Sequence, residues 1–278
     1  MQEIEFKFQV PVKKRKTLQK AFTLLKAEPI HLAAQYFDTA EQTLAKHCIA
    51  IRRRQENDQW KQTFKAVNTA KALSRFELEF DISPPETTTL DLKNYEDYPA
   101  VYKKLKRALG LPLATLELLF ETDIQRLRVL QDVGSSTVEI ALDIGKIFNK
   151  QNSVDIFEIE FELKQGSIED LIAFIRPWVQ KYQLSLDTHS KSDYGLQVVR
   201  QHAYFPAHYQ MPHVVSKSSS HAEALQSMVA NCLQHLLPNA SSIARQQYSS
   251  EHVHQARVAI RRLRTALKSF AAWSEDIQ

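Results

Sequence analysis

Charged and apolar residues alternate strictly in several separate segments of the chain. The first is Glu3-Ile4-Glu5-Phe6-Lys7, and Phe157-Glu158-Ile159-Glu160-Phe161-Glu162 repeats the pattern far away in sequence. Successive side chains of a β-strand point to opposite faces, so each such segment predicts a strand with one charged and one apolar face. Residues 75–81 alternate in the same way, and residues 49–54, 59–65, 121–128 and 137–143 place charged residues on one face of a predicted strand with a less regular pattern.

The signs of the charges separate by strand. Residues 157–163 carry carboxylates on their charged face, whereas residues 49–54 carry arginines. A face turned to water usually mixes in serine, threonine and glutamine, although an ordinary half-buried sheet with a solvated charged face is the alternative. We therefore predict an α+β fold. Its antiparallel strands close into a barrel, helices cover the apolar faces, and the charged faces line a wet interior.

Composition limits the class of protein. The 278 residues, 44% of them hydrophobic, suffice for one large domain and part of another. A net charge of +4 is too small to predict nucleic acid as a partner. The two cysteines, Cys48 and Cys232, lie far apart, which fits a reducing compartment. No apolar run approaches the roughly 18 residues of a membrane span, so we expect a cytoplasmic protein that binds neither nucleic acid nor membrane.

The residue types on the charged faces indicate a chemistry. Clustered carboxylates without a histidine partner favour the hard cations Mg²⁺ or Mn²⁺. Arginine and lysine in quantity favour phosphate. Together they predict metal-assisted phosphoryl transfer. With five glycines in the whole chain, neither a Walker motif nor a dinucleotide-binding motif can be built.

The segment Glu3-Ile4-Glu5-Phe6-Lys7 resembles the Glu-x-Glu-x-Lys signature of the CYTH superfamily, the triphosphate tunnel metalloenzymes. Further elements of that family match in order over about residues 1–200: an Arg-x-Arg strand, a lysine, an Arg-x-Glu strand, another arginine, a Glu-x-x-x-Asp strand, a terminal acidic strand and a Ser-Lys pair. The resemblance implies a closed eight-stranded antiparallel tunnel with flanking helices, which binds triphosphate on basic residues and divalent metal on acidic ones.

The resemblance also implies roles for individual residues. Phosphate oxygens would be bound by Lys7, Arg52, Arg54, Lys65, Arg75, Arg126, Arg128 and Lys191. A first Mg²⁺ or Mn²⁺ would be bound by Glu3, Glu5, Glu160 and Glu162. A second metal, or alternatively ion pairs with the arginines, would engage Glu77, Glu139, Asp143 and Glu158. For Tyr36, packing and substrate contact are both open, and no residue is assigned as the general base.

The chain changes character after residue 200. Residues 201–220 predict a linker, and a helix is expected from about Ala222 to Leu237, ended by Pro238. The segment from His254 to Arg264 is similar to the opening signature of CHAD domains, helical modules associated with polyphosphate. We expect residues 221–278 to be the first helices of a truncated CHAD domain. Its polyanion-binding residues would be His254, Arg257, Arg261 and Arg264.

These resemblances together favour one activity. The CYTH–CHAD pairing resembles bacterial inorganic triphosphatases, so we expect hydrolysis of tripolyphosphate to pyrophosphate and phosphate with Mg²⁺ or Mn²⁺. Long-chain polyphosphate is a further candidate partner. Two alternatives remain: another CYTH enzyme, either a class IV adenylate cyclase or a thiamine triphosphatase, or a polyphosphate-binding module without catalysis. The acidic strand argues against the last, because a polyanion binder has no use for carboxylates that face its ligand.

Overall fold

The computed structural model describes residues 4–67, 75–85, 89–90, 92–212, 215–216 and 218–273. The chain forms two compact units. The first, here the sheet unit, comprises Met1–Leu184 with Ser190–Gln201. The second, here the helical unit, comprises Ser185–His189 with His202–Gln278.

Antiparallel strands make up most of the sheet unit. The strands are β1 (Glu5–Gln9), β2 (Glu28–Asp38), β3 (Ile49–Glu56), β4 (Gln59–Val67), β5 (Arg75–Ile82), β6 (Glu117–Val133), β7 (Ser136–Phe148) and β8 (Ser153–Gln165). A short ninth strand, β9 (Ser185–Leu186), belongs to the segment assigned to the helical unit. The strands are hydrogen-bonded in the order β5-β4-β3-β2-β6-β7-β8-β1-β9. Every segment in which the sequence alternates therefore forms a strand, and the predicted α+β class with an antiparallel sheet is confirmed.

Helices occupy the connections. They are α1 (Val12–Leu24), α2 (Thr43–Lys46), α3 (Pro99–Leu109), α4 (Ile168–Tyr182), α5 (Lys191–Arg200), α6 (His221–Ala244) and α7 (Ser250–Ser269), with short 3-10 turns at Lys93–Tyr95 and Ala271–Trp273. Within the described part of the chain, no helix combines the length and apolar character that a membrane crossing requires.

The structure corrects the expectation of a closed eight-stranded barrel. The sheet has nine strands, and among the described residues no pairing joins β5, at one end of the strand order, to β1 or β9 at the other. The alternation of a sequence gives the two faces of each strand, but it carries no information about which strand edges meet. The ninth strand has two residues and is too short for alternation to reveal it.

The pairing register places the predicted charged residues on one face of the sheet. Glu5 lies opposite Glu162 across β1 and β8, and Arg126 lies opposite Asp143 across β6 and β7. At the other end of the sheet, Lys65 of β4 lies opposite Glu77 of β5. Because directly paired residues share a face, these charged residues lie on one face of the sheet. Between the two charged regions, β2 presents Ile30, Leu32, Ala34 and Tyr36 on that face.

The opposite face of the sheet is apolar and is covered by helices. Phe161 of β8 contacts Phe8 of β1 and both Phe174 and Trp178 of α4, with ring centroids 5.7–6.1 Å apart. Around β3 and β4, a second group of buried residues is Phe37, Leu44, Ile49, Ile51, Phe64, Ala66, Tyr95, Val101, Leu105, Ala108, Leu109 and Leu116. Burial of these side chains holds the apolar face against the helices, and the charged residues remain on the other face of the sheet.

In the helical unit, α6 continues past Pro238 to Ala244, so the prediction that Pro238 ends this helix is wrong. Proline lacks the N–H that a helix interior requires. Nearby side chains instead bind backbone carbonyls of the same turns: Asn239 Nδ2 donates to His235 O at 2.8 Å, and Ser241 Oγ donates to Leu237 O at 2.9 Å. The helical hydrogen bond that Pro238 cannot make is the one to Gln234 O, so these contacts add to the turns around the proline and do not replace that bond.

Candidate functional site

Helix α5 begins at the charged face of the sheet. Ser190 and Asp193 cap its first turn reciprocally, which fixes Lys191 as the first helical residue. Gly195 allows a close approach to the sheet, because a Cβ at this position would lie 2.0 Å from Phe120 Cε2. The next residue toward the N-terminus, Tyr194, is fully buried, and its ring lies 5.5 Å from Lys7 Nζ. The Lys191 side chain therefore enters the charged face from above the strands.

Lys191 reaches three carboxylates from two strands. Its Nζ lies 2.7 Å from Asp143 Oδ2 and 2.9 Å from Glu160 Oε1, and it also contacts Glu158 Oε1. Lys7 Nζ lies 3.2 Å from the other oxygen of Glu158.

Arg126 completes this group. Its Nε and NH2 donate to the two oxygens of Asp143, each at 2.6 Å, and NH2 also donates to Glu160 Oε2 at 2.5 Å. We call Lys7, Arg126, Asp143, Glu158, Glu160 and Lys191 the Lys191 cluster. Two-point contact of a guanidinium with a carboxylate fixes both groups in one plane.

Burial and neighbouring charges act against each other in the Lys191 cluster. Burial by itself lowers the pKa of Lys191, but Asp143, Glu158 and Glu160 outweigh it and raise that pKa well above its usual value. For Glu160, burial raises the pKa, yet Lys191 and Arg126 hold it well below the ordinary range. For Glu158, burial prevails over Lys191 and Lys7, and the pKa is raised. Two neighbouring carboxylates of β8 are thus driven in opposite directions.

Three of these carboxylates could hold a divalent cation. Asp143, Glu158 and Glu160 each offer one oxygen, and the three oxygens lie within 4.8 Å of one another. A set of carboxylate oxygens without nitrogen or sulfur suits Mg²⁺ or Mn²⁺. The donor chemistry of these residues therefore fits the metal that the sequence predicts.

A second group of charges lies on the same face across β3, β4 and β5. We call Arg52, Arg54, Lys61, Thr63, Lys65, Glu77 and Glu79 the Arg54 cluster. Its shortest ion pair joins Lys65 Nζ to Glu77 Oε2 at 2.8 Å. Glu79 lies 3.4 Å from Arg54 NH2 and 3.2 Å from Lys61 Nζ. Thr63, which is fully buried, donates to Glu79 at 3.0 Å.

Arg54 combines burial with an unused donor. Its NH2 lies 3.3 Å from Glu56 Oε2, but among the described residues its Nε is buried without a hydrogen-bond partner. Burial and the adjacent Arg52 lower the pKa of Arg54, against the opposing effect of Glu79. A buried donor without an acceptor is unfavourable, and an anion on this face would supply the acceptor.

Tyr36 connects the two clusters. Its ring stacks on Phe120 with centroids 4.5 Å apart, and its hydroxyl oxygen accepts a long hydrogen bond of 3.5 Å from Arg52 NH1. Burial alone raises the pKa of Tyr36, but Arg52, Lys65 and Lys191 outweigh it and lower the pKa. Tyr36 is therefore both packed and directed at the charged face, so the two alternatives left open by the sequence do not exclude each other.

The other predicted site residues are more scattered. Lys164 pairs with Glu162 at 2.6 Å and with Glu139 at 3.6 Å. Arg128 lies toward solvent and pairs with Glu28 at 3.0 Å. Glu5 shares the charged face but is not one of the three residues whose oxygens converge. Glu3 and the side chain of Arg75 lie outside the described part of the chain.

The grouping of the acidic residues differs from the one the family resemblance implied. Among the described residues, Glu160 converges with Asp143 and Glu158, which were assigned to a second metal or to ion pairs, rather than with Glu5 and Glu162. The sequence reasoning placed Glu79 in an alternating strand without assigning it to the site, and it did not consider Lys164. Strand alternation already carried the signal for Glu79, since it lies two residues from Glu77 in β5.

In the helical unit, the four predicted polyanion-binding residues are exposed on α7: His254, Arg257, Arg261 and Arg264. The neighbouring Arg262 instead turns inward, and its NH2 donates to Asn231 Oδ1 of α6 at 2.7 Å. His235 Nε2 donates to Gln255 Oε1 at 2.8 Å. Side-chain hydrogen bonds thus join α6 to α7, one of them from a charged guanidinium, and the spacing of the basic residues did not reveal them.

Comparison with known proteins agrees with this geometry. Residues 1–193 match the CYTH domain and residues 227–276 match the CHAD domain. The inorganic triphosphatase of Haemophilus influenzae is 31% identical over 201 residues, which are 70% of this chain and 54% of that protein. The chain thus spans about half the length of this curated relative.

Solved structures with detectable similarity are more distant. A putative adenylate cyclase from Bacillus halodurans is 20% identical, with 68% of this chain and 93% of the other covered and a TM-score of 0.49. A putative adenylyl cyclase from Hippeastrum, described as having a dominant triphosphatase activity, is 18% identical, with 73% and 98% covered and a TM-score of 0.49. The match over residues 1–193, which is more than half of the chain, shows that this protein belongs to the CYTH domain family and carries part of a CHAD domain behind it.

Proposed function

We propose that this protein is a divalent-metal-dependent inorganic triphosphatase that hydrolyses tripolyphosphate to pyrophosphate and phosphate. The observation that carries the proposal is the meeting of Asp143, Glu158 and Glu160 on the face of the sheet that also carries the Arg54 cluster. The similarity to the Haemophilus influenzae inorganic triphosphatase supports the choice of substrate.

Each part of the face has a role in this proposal. Asp143, Glu158 and Glu160 would hold Mg²⁺ or Mn²⁺, which supplies charge neutralisation and activation of water in phosphoryl transfer. Arg52, Arg54 and Lys65 would bind phosphate oxygens. Arginine binds them through two donors in a fixed fork, whereas lysine acts as a point charge. The fork of Arg54 is suited to this role because its buried Nε has no acceptor among the described residues.

The exposed basic residues of α7 would add a contact to longer polyphosphate chains. His254, Arg257, Arg261 and Arg264 lie within about three turns of one helix. Because each neutralised phosphate releases counterions, such binding weakens steeply with salt. Filter binding of polyphosphate at increasing ionic strength tests this contact, and Arg257→Gln with Arg261→Gln should reduce the salt dependence.

Phosphate release from tripolyphosphate, ATP and thiamine triphosphate, measured with Mg²⁺, with Mn²⁺ and with EDTA, tests the enzymatic proposal. We expect metal-dependent release that is fastest from tripolyphosphate. Glu160→Gln should lower kcat by about 100-fold or more, because the metal contributes several kcal/mol and 1.36 kcal/mol is tenfold in rate. Glu96→Gln is the matched control, since the Glu96 side chain is exposed and accepts a hydrogen bond from Tyr102, away from the Lys191 cluster.

Other outcomes would assign a different function. A cyclic product from ATP would indicate an adenylate cyclase, and the fastest release from thiamine triphosphate would indicate a thiamine triphosphatase. Tight binding of tripolyphosphate without hydrolysis under any metal would indicate a polyphosphate-binding module.

A further inference from the structure

We infer that the Lys191 ammonium and a divalent cation exchange at the same three carboxylates, so that metal binding moves Lys191 from carboxylate to phosphate. The inference rests on the proposed function, because it concerns the metal and the phosphate of that site. It gives Lys191 two alternating partners instead of a fixed place in the phosphate-binding set.

The first argument is competition for the Lys191 ammonium. A lysine ammonium has three N–H groups and no acceptor. Lys191 Nζ contacts one oxygen each of Asp143, Glu158 and Glu160, the same three residues whose oxygens converge within 4.8 Å. The ammonium thus lies at ion-pair distance from all three carboxylates: Glu160 Oε1 accepts a hydrogen bond from it, and the buried Glu158 Oε1 makes none among the described residues. A phosphate oxygen would have to compete with these carboxylates for Lys191.

The second argument is charge. The Lys191 cluster contains three carboxylates and three cations, Lys7, Arg126 and Lys191, so its formal charges sum to zero. A divalent cation added to a neutral, buried group would leave two uncompensated positive charges. Uncompensated buried charge is strongly destabilising. Departure of Lys191 toward an anion removes one of these charges from the carboxylates and gives the anion a partner.

The third argument is that Lys191 can move more easily than Arg126 can. Arg126 lies on the central strand β6 and holds Asp143 through two hydrogen bonds of 2.6 Å. Lys191 belongs to the first turn of α5 and extends a flexible four-carbon chain to the carboxylates. Its charge also lowers the pKa of Tyr36, which bonds Arg52 of the basic cluster. The ammonium thus lies near the boundary between the acidic and the basic parts of the face.

Exchange of this kind couples the two ligands. If metal frees Lys191 for phosphate, phosphate must by linkage tighten metal binding by the same factor. A lysine that binds phosphate in every state would contribute equally with and without metal. The two cases therefore predict different affinities of the Lys191 variant for metal measured without phosphate, and for phosphate measured without metal.

Titration of the full chain with Mn²⁺ in phosphate-free buffer, followed by calorimetry, provides the first test. Lys191→Met should tighten Mn²⁺ binding by about tenfold, within the 5–150-fold range of coupled sites. Lys65→Met is the matched control, because Lys65 contacts Glu77 and is outside the three converging carboxylates. The control should leave the Mn²⁺ affinity within about twofold of wild type.

Binding of tripolyphosphate in EDTA is the second test. Without metal, Lys191→Met should change the tripolyphosphate affinity by less than about twofold, whereas Lys65→Met should weaken it by about tenfold, as for the loss of one charge-assisted contact. Equal weakening by the two variants in EDTA would overturn the exchange.

One further measurement does not depend on the stability of the Met variant. In ¹⁵N spectra of the lysine ammonium groups of the wild type, assigned with Lys191→Arg, the signal of Lys191 should shift when Mg²⁺ is added. A signal that Mg²⁺ leaves unchanged would overturn the exchange.

The two proposals fail separately. Mn²⁺-dependent hydrolysis of tripolyphosphate, together with an unchanged Mn²⁺ affinity of Lys191→Met, would overturn the exchange and leave the triphosphatase in place. Absence of Mn²⁺ binding to every variant would overturn both the exchange and the metal dependence of the proposed function.

Discussion

The Lys191 cluster and the Arg54 cluster lie on the same face of one sheet but differ in how tightly their charges are paired. In the first, the side chains of Asp143 and Glu158 are 0% and 4% exposed, and most contacts are 2.9 Å or shorter. In the second, Glu77 and Glu79 are 22% and 26% exposed, and most contacts are 3.2 Å or longer. Close pairing in a buried site makes the first cluster sensitive to loss of one charge, whereas looser pairing leaves donors of the second available to a ligand.

Removing one charge from the tighter cluster should produce the largest effect. Asp143→Asn removes one of two carboxylates, Asp143 and Glu160, that Arg126 and Lys191 share. We expect the free energy of unfolding to fall by about 3 kcal/mol or more, as for other broken buried ion pairs. Urea unfolding followed by circular dichroism measures the change. Glu96→Gln should cost less than about 0.5 kcal/mol as an exposed control. A loss for Asp143→Asn as small as that of the control would remove the distinction between the clusters.

Arg54 tests whether the looser cluster binds substrate. Arg54→Met should raise the KM for tripolyphosphate by about tenfold or more, because a hydrogen bond to a charged group contributes roughly 1.5–3 kcal/mol. Arg54→Lys should not restore the KM, since lysine lacks the fork of donors. Steady-state kinetics at saturating Mg²⁺ measures both variants. Full recovery in the lysine variant would show that only charge is needed at this position.

A smaller change is expected when a carboxylate of the looser cluster is neutralised. Glu79→Gln loses contacts with Arg54, Lys61 and Thr63, but water reaches the site. We expect destabilisation by about 1 kcal/mol, measured by the same urea unfolding as for Asp143→Asn. A cost equal to that of Asp143→Asn would contradict the role assigned to burial.

The helical unit is a third region for this comparison, and side-chain hydrogen bonds join its helices α6 and α7. Burial, and then His235 and His189, lower the pKa of His208. The folded state therefore binds fewer protons than the unfolded state. The stability contributed by this group is present above the ordinary histidine pKa of about 6.5 and is lost as the pH falls through that value toward the lowered one.

Hydrogen exchange of the α6 amides at pH 7.5 and pH 5.5 measures this loss in the full chain. We expect protection in α6 to be lower at pH 5.5 than at pH 7.5, because the unfolded chain binds the proton of His208 more readily than the folded chain. His208→Gln should reduce the difference between the two pH values. Protection in β7, which pairs with strands on both sides, serves as the internal reference.

Much of the sheet unit could be predicted from the sequence because alternation is a local property. Charged residues two positions apart in a strand share a face whatever the fold. The prediction that Arg52 shares a face with Arg54, and Glu158 with Glu160, is therefore confirmed. The CYTH resemblance then matched these segments, in their order along the chain, to the elements of that family.

Only the tertiary structure decided which charges meet and how the sheet ends. The convergence of Asp143 with Glu158 depends on the register between β7 and β8, and that of Lys191 with both depends on the approach of α5. Register and approach result from packing of the apolar face and from close contacts such as Gly195 against Phe120. The sequence determined which residues could carry phosphate and metal chemistry, whereas long-range packing determined that a lysine contacts the three carboxylates proposed to hold the metal.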